Sequence, residues 1–279
     1  MKQQEIIRHG TDFSIYNNPP LWAIPPKDMV YIDDNGISYW TKKNRFYETH
    51  IMKVFLDYIK KEPEIILDIG GNIGNHSLMF HQLYTKSKIF SFEASPYNFV
   101  YLYQNVNNIK NIFPYCIGLS DKREIVDFNH YEEDFGSSGV ASYQTTKKDS
   151  KNPSFKMSVL LEKFDSLGFD DIPDLIKIDV ENYEVNVLKG MSNLLDNMKK
   201  DSYIWVEDHL LETTVKSEKD DEGIVNSNGG ISIVNSESWT VILEKENSKL
   251  KDSPSTYLIK NHNFEPVSMV ECNLLLKKI

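Results

Sequence analysis

The chain has little of what a scaffold, a membrane span or a nucleic-acid reader needs. Cysteine occurs twice in 279 residues, at Cys116 and Cys272. Two thiols exclude a disulfide framework and a four-cysteine zinc site, and they suit a reducing, cytoplasmic setting. Arginine occurs only at Arg8, Arg45 and Arg123, so lysine carries nearly all the positive charge. Acidic residues outnumber basic ones by 41 to 31, for a formal net charge of −10. Dedicated DNA or RNA binders show the opposite balance, because phosphate affinity comes from Lys and Arg. Nucleic acid is therefore not an expected partner. No apolar run approaches the roughly 18 to 20 residues of a membrane span. Met1-Lys2-Gln3-Gln4-Glu5 lacks the apolar core of a signal peptide. Neither a G-x-S-x-G elbow nor a G-x-x-x-x-G-K-[ST] loop is present, which removes support for hydrolase and P-loop chemistry.

What is there is globular, with 40% hydrophobic and 26% charged residues. Residues 1–46 are rich in turn chemistry. Asp33-Asp34-Asn35-Gly36, between Met29–Ile32 and Ile37–Trp40, reads as a β-hairpin. A helix follows from about Tyr47 to Lys60, with Ile51, Phe55, Tyr58 and Ile59 on one face. From Glu64 onward, apolar strands alternate with helical segments. The strands are Ile65–Ile69, Lys88–Glu93, Ile112–Ile117, Leu175–Val180 and Tyr203–Glu207. Ser95-Pro96 opens a helix as N-cap and first helical residue, with Phe99, Leu102, Tyr103 and Val106 as its apolar face. Pro114 places the third strand away from the sheet centre. Residues 124–160 read as an excursion of hairpins, and 213–252, charged then Asn/Gly/Ser-rich, as an insertion or lid. Phe264 to Ile279 reads as two strands joined tightly. Strands apolar on both faces, alternating with helices, specify an α/β fold with a parallel sheet covered on both sides.

The most informative stretch is Asp68-Ile69-Gly70-Gly71-Asn72-Ile73-Gly74-Asn75-His76. Glycines at a strand-to-helix turn admit a ligand close to the backbone, and the helix start offers free N–H groups. A dinucleotide needs G-x-G-x-x-G, but Asn72 holds the second glycine position of that register. Asp68, two residues before the first glycine, opposes a pyrophosphate and suits a cationic ligand such as S-adenosylmethionine. Glu93 ends the next strand, where a carboxylate can accept both ribose hydroxyls. NAD enzymes share that acid, so Glu93 supports a nucleoside without choosing between the two cofactors. His76 is expected to contact the cofactor or cap the helix.

Lys177 and Asp179 share one face of the fourth strand. A lysine in an apolar strand must find an acid, and Asp68 and Glu207 are candidates. The reading favoured here is that Lys177 ties the sheet together rather than acting in catalysis. Asp179 lies at the carboxyl end of its strand, where open α/β sheets bind ligands. Glu181 just beyond faces a substrate or serves as a first-turn helix acid. His209, after the fifth strand, is a candidate general base. Asp179 with Glu207 or Asp208 could also attract a divalent metal. A third clearly placed ligand is missing, so no metal is expected.

Together these residues resemble a known family. Leu67–Gly74 is similar to motif I of class I S-adenosylmethionine-dependent methyltransferases, in the D-x-G-A-N-x-G form of the FkbM family, with Gly71 in place of Ala. Phe92-Glu93-Ala94-Ser95-Pro96 resembles that family's F-E-P-x-P, and Phe164-Asp165-Ser166-Leu167 its L-D-S-L. Asp174–Glu181 with Val187-Leu188-Lys189-Gly190 is similar to its D-L-I-K-I-D-V-E-G with V-L-K-G, Asn182 replacing the final Gly. The resemblance covers about residues 50 to 210.

It implies a Rossmann-like methyltransferase sheet with an antiparallel C-terminal strand pair. It divides the chain into an N-terminal extension, 1–46, and a methyltransferase domain, 47–279. It implies S-adenosylmethionine as cofactor and O-methylation of a hydroxyl on a sugar, glycan or secondary metabolite. Asp68, Gly70, Gly71, Asn72, Gly74, Asn75, His76, Glu93, Ala94, Ile117, Gly118 and Asp179 are then the cofactor residues, the Ile117-Gly118 turn lying by the adenine. Glu181 and His209 are the catalytic candidates. The rival readings are an NAD-dependent oxidoreductase, a non-catalytic cofactor-binding or partner-binding module, and a nucleic-acid methyltransferase. The last needs a basic face.

Overall fold

The computed structural model describes residues 7–9, 13–31, 37–131, 138–142, 153–211 and 253–279. The expected insertion, 213–252, lies outside them. The amino-terminal part contains β1 (Ile7–His9), α1 (Ile37–Lys42) and α2 (Thr49–Phe55). β2 (Ile65–Ile69), α3 (Asn75–Leu83), β3 (Lys88–Glu93), α4 (Pro96–Val106) and β4 (Ile112–Cys116) follow. Next come β5 (Gly118–Leu119), β6 (Glu124–His130), β7 (Gly139–Val140) and β8 (Phe155–Glu162). The chain continues through β9 (Leu175–Ile178), α5 (Glu184–Gly190), α6 (Ser192–Asn197) and β10 (Tyr203–Glu207). α7 (Pro254–His262), β11 (Phe264–Val270) and β12 (Asn273–Lys278) complete it. Among the described residues, no helix is long and apolar enough to cross a membrane.

The main sheet runs β1-β11-β12-β10-β9-β2-β3-β4. β2 pairs parallel with both β3 and β9, so the chain reverses its direction of travel at β2. β12 is antiparallel to both its neighbours, β10 and β11, as the C-terminal reading expects. β4, with Pro114, closes one edge of the sheet, where a missing N–H costs least. A smaller sheet, β5-β8-β6-β7, is the expected hairpin excursion.

Alternate residues of the central strands feed two separate cores. Leu67, Ile69, Ile176, Ile178, Ile204 and Val206 pack on one face. Ile66, Ile89, Leu175 and Trp205 pack on the other. Each fully buried aliphatic side chain contributes about 1.5 to 3 kcal/mol, which explains strands without polar alternation.

Two local expectations are corrected. Ile37–Trp40 is not the second strand of a hairpin but the start of α1. Ile37, Ser38 and Thr41 are its buried residues, at helical rather than alternating spacing, and Thr41 Oγ1 donates to Ile37 O at 2.9 Å. On α4, Ser95 caps the N-terminus by accepting from Asn98 N, with Pro96 at the first turn, as expected. Tyr103, however, is exposed, and the inner face is Asn98, Leu102 and Val106. Asn105 extends that face by donating to Ile73 O at 2.7 Å and Val30 O at 2.8 Å. A hydropathy pattern misses this face because two of its members, Asn98 and Asn105, are polar.

The segment before residue 47 is built into the same core. Phe46 is fully buried, and its N–H donates to Ala23 O.

Candidate functional site

The sheet reverses at β2, and a cavity of about 410 Å³ lies at the carboxyl ends of β2, β3, β9 and β10. That is where open α/β sheets take their ligands, and the volume suits a small molecule. Of the expected cofactor residues, Gly70, Gly71, Asn72, Asn75, His76, Glu93, Ala94, Ile117, Gly118 and Asp179 line it, as do Glu181 and His209. Asp68 and Gly74 do not. Asp68 is fully buried behind the loop and accepts from Ser77 Oγ at 2.5 Å. Gly74 precedes α3 at φ +94°. Both are corrected from ligand contacts to supports of the loop.

The glycines are required by the protein's own backbone as much as by a ligand. Gly70 has φ +83°, and a Cβ there would lie 1.8 Å from Asp179 O. The ends of β2 and β9 can meet only because that atom is absent. A Cβ on Gly71 would lie 2.2 Å from Ser91 Oγ. The Ser91 hydroxyl thus fills the space the family's alanine would use. Asn182, in place of the family's glycine, keeps the left-handed turn at φ 73°. Asparagine tolerates that region better than most residues.

Glu93 is the pivot of the cofactor half. Its Oε2 accepts from Asn72 N and its Oε1 from Ser95 N, each at 2.8 Å. Burial pushes its carboxyl up to about 7, against those two bonds. Beyond it, Ile117, Leu119, Phe128, Val140 and Leu161 form an apolar wall. Most of that wall comes from the smaller sheet, of which the sequence reading had placed only Gly118 in the site.

The opposite end is polar and acidic. Lys177 is 1% exposed and donates to Asp179 Oδ2 at 2.9 Å. Its partner is thus Asp179, two residues along the same strand face, rather than Asp68 or Glu207. Burial alone would lower the lysine, but Asp179, Asp68 and Glu48 together raise it. Lys177 sits beside Asp68 and Trp205 in strand register, while its ammonium pairs with Asp179 at the end of its own strand.

Asn75 clamps the backbone of Tyr47, accepting from its N–H at 2.9 Å and donating to its carbonyl at 3.2 Å. This brings Tyr47 and Glu48 to the cavity, a contribution the sequence reading missed. His76 Nε2 lies 3.0 Å from Glu48 Oε2, both side chains buried. Burial pushes the imidazole down to about 3 and the carboxyl up to about 8, so both favour their neutral forms. Glu184, also missed, accepts from Val180 N and Asn182 N and so fixes the turn that presents Glu181.

His209 Nε2 lies 3.2 Å from Glu207 Oε2. Donating to that carboxylate raises the imidazole to about 9. Cys272 donates to the other oxygen, Glu207 Oε1, at 3.1 Å. Among the described residues, Glu207, His209 and Cys272 form a donor set within 4.8 Å that could hold a metal ion. Asp208 is not available for one. It is buried and accepts from Leu211 N, Ser253 Oγ and Ser255 Oγ.

With this geometry in hand, the comparisons with known proteins are specific. The Methyltransferase FkbM domain matches residues 68–222. The hexuronic acid methyltransferase AglP of Haloferax volcanii is 26% identical over 171 residues, covering 61% of this chain and 66% of that protein. Methyltransferase 1 of Beauveria bassiana is 25% identical over 158 residues, covering 49% of this chain and 64% of that one. The chain thus spans a little under two thirds of the length of these relatives. A crystal structure of an FkbM methyltransferase from Methylobacillus flagellatus is 14% identical with a TM-score of 0.40, covering 77% of this chain and 43% of that one. The match takes in the glycine loop, Glu93, Asp179 and His209, and the chain belongs to the FkbM methyltransferase domain family.

Proposed function

We propose that the chain transfers the methyl group of S-adenosylmethionine to a hydroxyl of a sugar, glycan or secondary metabolite. One observation carries the reading. The glycine loop, the Glu93 carboxylate, an apolar wall and a carboxylate-rich end all line one cavity, which supplies the surfaces that a ribose, an adenine and a sulfonium require. Family membership supports it, and the name of the Haloferax relative supports a sugar acceptor.

The residues fit the cofactor. Glu93 uses one lone pair on each oxygen for backbone N–H groups and keeps others for the ribose diol. The Ile117-Gly118 turn and the wall around it take the base, and Asp179 faces the methionyl ammonium. When bound, S-adenosylmethionine supplies an electrophilic methyl group. The chain's contribution is then to place the acceptor oxygen in line and exclude water, and positioning can supply most of the rate.

His209 enters the reaction protonated, because Glu207 holds its proton near neutral pH. It therefore orients the acceptor as a donor. Glu181, presented at φ 56° on the same cavity edge, takes the hydroxyl proton.

Calorimetry with S-adenosylmethionine and with NAD tests the first half. Tight NAD binding without S-adenosylmethionine binding overturns the reading. Labelled methyl transfer into glycan and metabolite extracts, read by mass spectrometry, tests the second. Cofactor binding with no labelled product in any extract favours the non-catalytic module.

A further inference from the structure

One cluster on the cavity wall has the donor chemistry of a metal site. Glu207 ends β10, His209 follows it by two residues, and Cys272 lies on the turn between β11 and β12. One donor atom from each lies within 4.8 Å of the others. The carboxylate is the centre of the set. Its Oε2 lies 3.2 Å from His209 Nε2, and Cys272 Sγ donates to its Oε1 at 3.1 Å. All three residues line the cavity. The sequence reading lacked a third ligand because Cys272 is 65 residues from Glu207. The insertion of β12 beside β10 supplies it.

The backbone that carries these donors is fixed. Asp208 N donates to Cys272 O at 2.8 Å, and Glu207 pairs in register with Asn273. Asn273 Oδ1 accepts from the buried Trp205 Nε1 at 2.6 Å. The Asp208 carboxylate, between the two ligand positions, accepts from Leu211 N, Ser253 Oγ and Ser255 Oγ. Donors already gathered lose little further freedom when a ligand arrives.

The donor types select the ion. A thiolate with an imidazole suits zinc-class cations, whereas magnesium and calcium take oxygen ligands. Tetrahedral zinc bonds of about 2.0 Å to N and O and about 2.3 Å to S set ligand-to-ligand edges of about 3.3 to 3.5 Å. The separations of 3.2 and 3.1 Å are already close to those edges. Three protein ligands leave a fourth position for a water or hydroxyl, as in catalytic rather than structural zinc sites. A separate feature of the same cavity also asks for a polar ligand. Glu48 Oε2 and His76 Nε2 are buried and only 3.0 Å apart, yet neither makes a hydrogen bond. A hydrated cation brings the water that such atoms lack.

We infer that Glu207, His209 and Cys272 bind a divalent zinc-class cation, and that the bound ion switches methyl transfer off. The binding stands on the donor set. The inhibition rests on the methyltransferase reading, because a His209 nitrogen that ligates an ion cannot donate to the acceptor hydroxyl. Coordination releases the thiol and imidazole protons to solvent.

The test titrates the full chain, reduced and stripped with a chelator, with Zn²⁺, Co²⁺ and Mg²⁺. Zinc is expected to bind once per chain, at least a hundredfold more tightly than magnesium, and cobalt to show a thiolate-to-metal charge-transfer band. Cys272→Ser keeps a hydroxyl for Glu207 Oε1 and removes the thiolate. It should weaken zinc at least tenfold, abolish the cobalt band and leave S-adenosylhomocysteine affinity intact, which reports that it folds. Cys116→Ser should behave as the parent. Zinc should lower methyl transfer by the parent at least tenfold, reversibly on chelation, and spare Cys272→Ser. Absence of stoichiometric zinc binding overturns the site, as does zinc affinity or a cobalt band unchanged in Cys272→Ser. Transfer by the zinc-loaded parent at an undiminished rate overturns the inhibition. If the stripped parent neither binds S-adenosylhomocysteine nor methylates any acceptor, the methyltransferase reading fails and the inhibition falls with it, while the zinc and cobalt titrations still judge the site.

Discussion

Replacing Glu93 by Gln keeps the side chain's size and removes its charge, at a group that joins three parts of the site. In the parent, one oxygen anchors Asn72 N in the glycine loop and the other anchors Ser95 N at the start of α4. The remaining lone pairs face the cavity. Hydrogen bonds to a charged acceptor are worth about 1.5 to 3 kcal/mol each. Gln keeps one carbonyl acceptor, so the loss is about one such bond to the ribose, or roughly 10- to 100-fold in affinity. Calorimetry with S-adenosylhomocysteine and with its 2′-deoxy analogue measures this as a cycle. The analogue should bind the parent more weakly than S-adenosylhomocysteine does, and that gap should shrink in Glu93→Gln. Because Glu93 titrates at about 7, parent affinity should rise as pH passes through 7 and the carboxylate forms, and the variant should lack the rise. Equal affinity of parent and variant, or an analogue gap untouched by the substitution, refutes the ribose assignment.

Three further outcomes are expected. Gly70→Ala forces a Cβ to within 1.8 Å of Asp179 O at φ +83° and should cost about 3 kcal/mol or more by urea unfolding. A loss below about 1 kcal/mol would mean that the β2–β9 junction yields. Lys177→Met leaves Asp179 without its ion-pair partner and removes the cation beside buried Asp68, and should cost about 3 to 5 kcal/mol. A neutral result there shows that the acids find other partners. The last concerns pH. Glu48, Glu93 and Glu184 are raised by burial to about 8, 7 and 8, so the folded chain holds protons that the unfolded chain releases above 4.5. Their penalty grows as pH rises from about 4.5 to 8. The stabilising His209–Glu207 bond is fully present below 6.5 and lost as pH passes 9. His76 and His130, lowered by burial to about 3 and 4, act oppositely and cost stability as pH falls below 6.5. On these groups the melting temperature should peak at about pH 5 and fall from pH 6 to 9, and a steady rise over that range would contradict these environments.

The cofactor half of the site was legible in the sequence because its signals are local. The glycine turn, the acid ending β3 and the acid ending β9 sit at fixed offsets from strand ends, and strand ends are readable from apolar runs. The rest of the cavity was legible only in part. Glu181 and His209 could be placed at its edge because they follow strands. Glu48, Glu271 and Cys272 were not, since each belongs to a turn whose place depends on packing elsewhere. Glu48 reaches the cavity because Asn75 holds the Tyr47 backbone from a helix 28 residues away. Glu271 and Cys272 reach it because β12 inserts beside β10. The misread hairpin at residues 29–40 has the same origin. Turn chemistry is local, but whether Ile37 enters a strand or a helix depends on the core it meets.

By itself, then, the sequence determined the alternation of strands and helices between β2 and β10, the parallel centre of the sheet and the glycine loop. Each is encoded within a few neighbouring residues. Only the tertiary structure decided that Asp68 stands behind the loop, that Lys177 pairs with Asp179 and that His209 carries its proton. It alone also gathered the acids of the far wall. Those properties come from burial and from distances between residues far apart in the chain. Electrostatics depends on such distances and on the water they exclude.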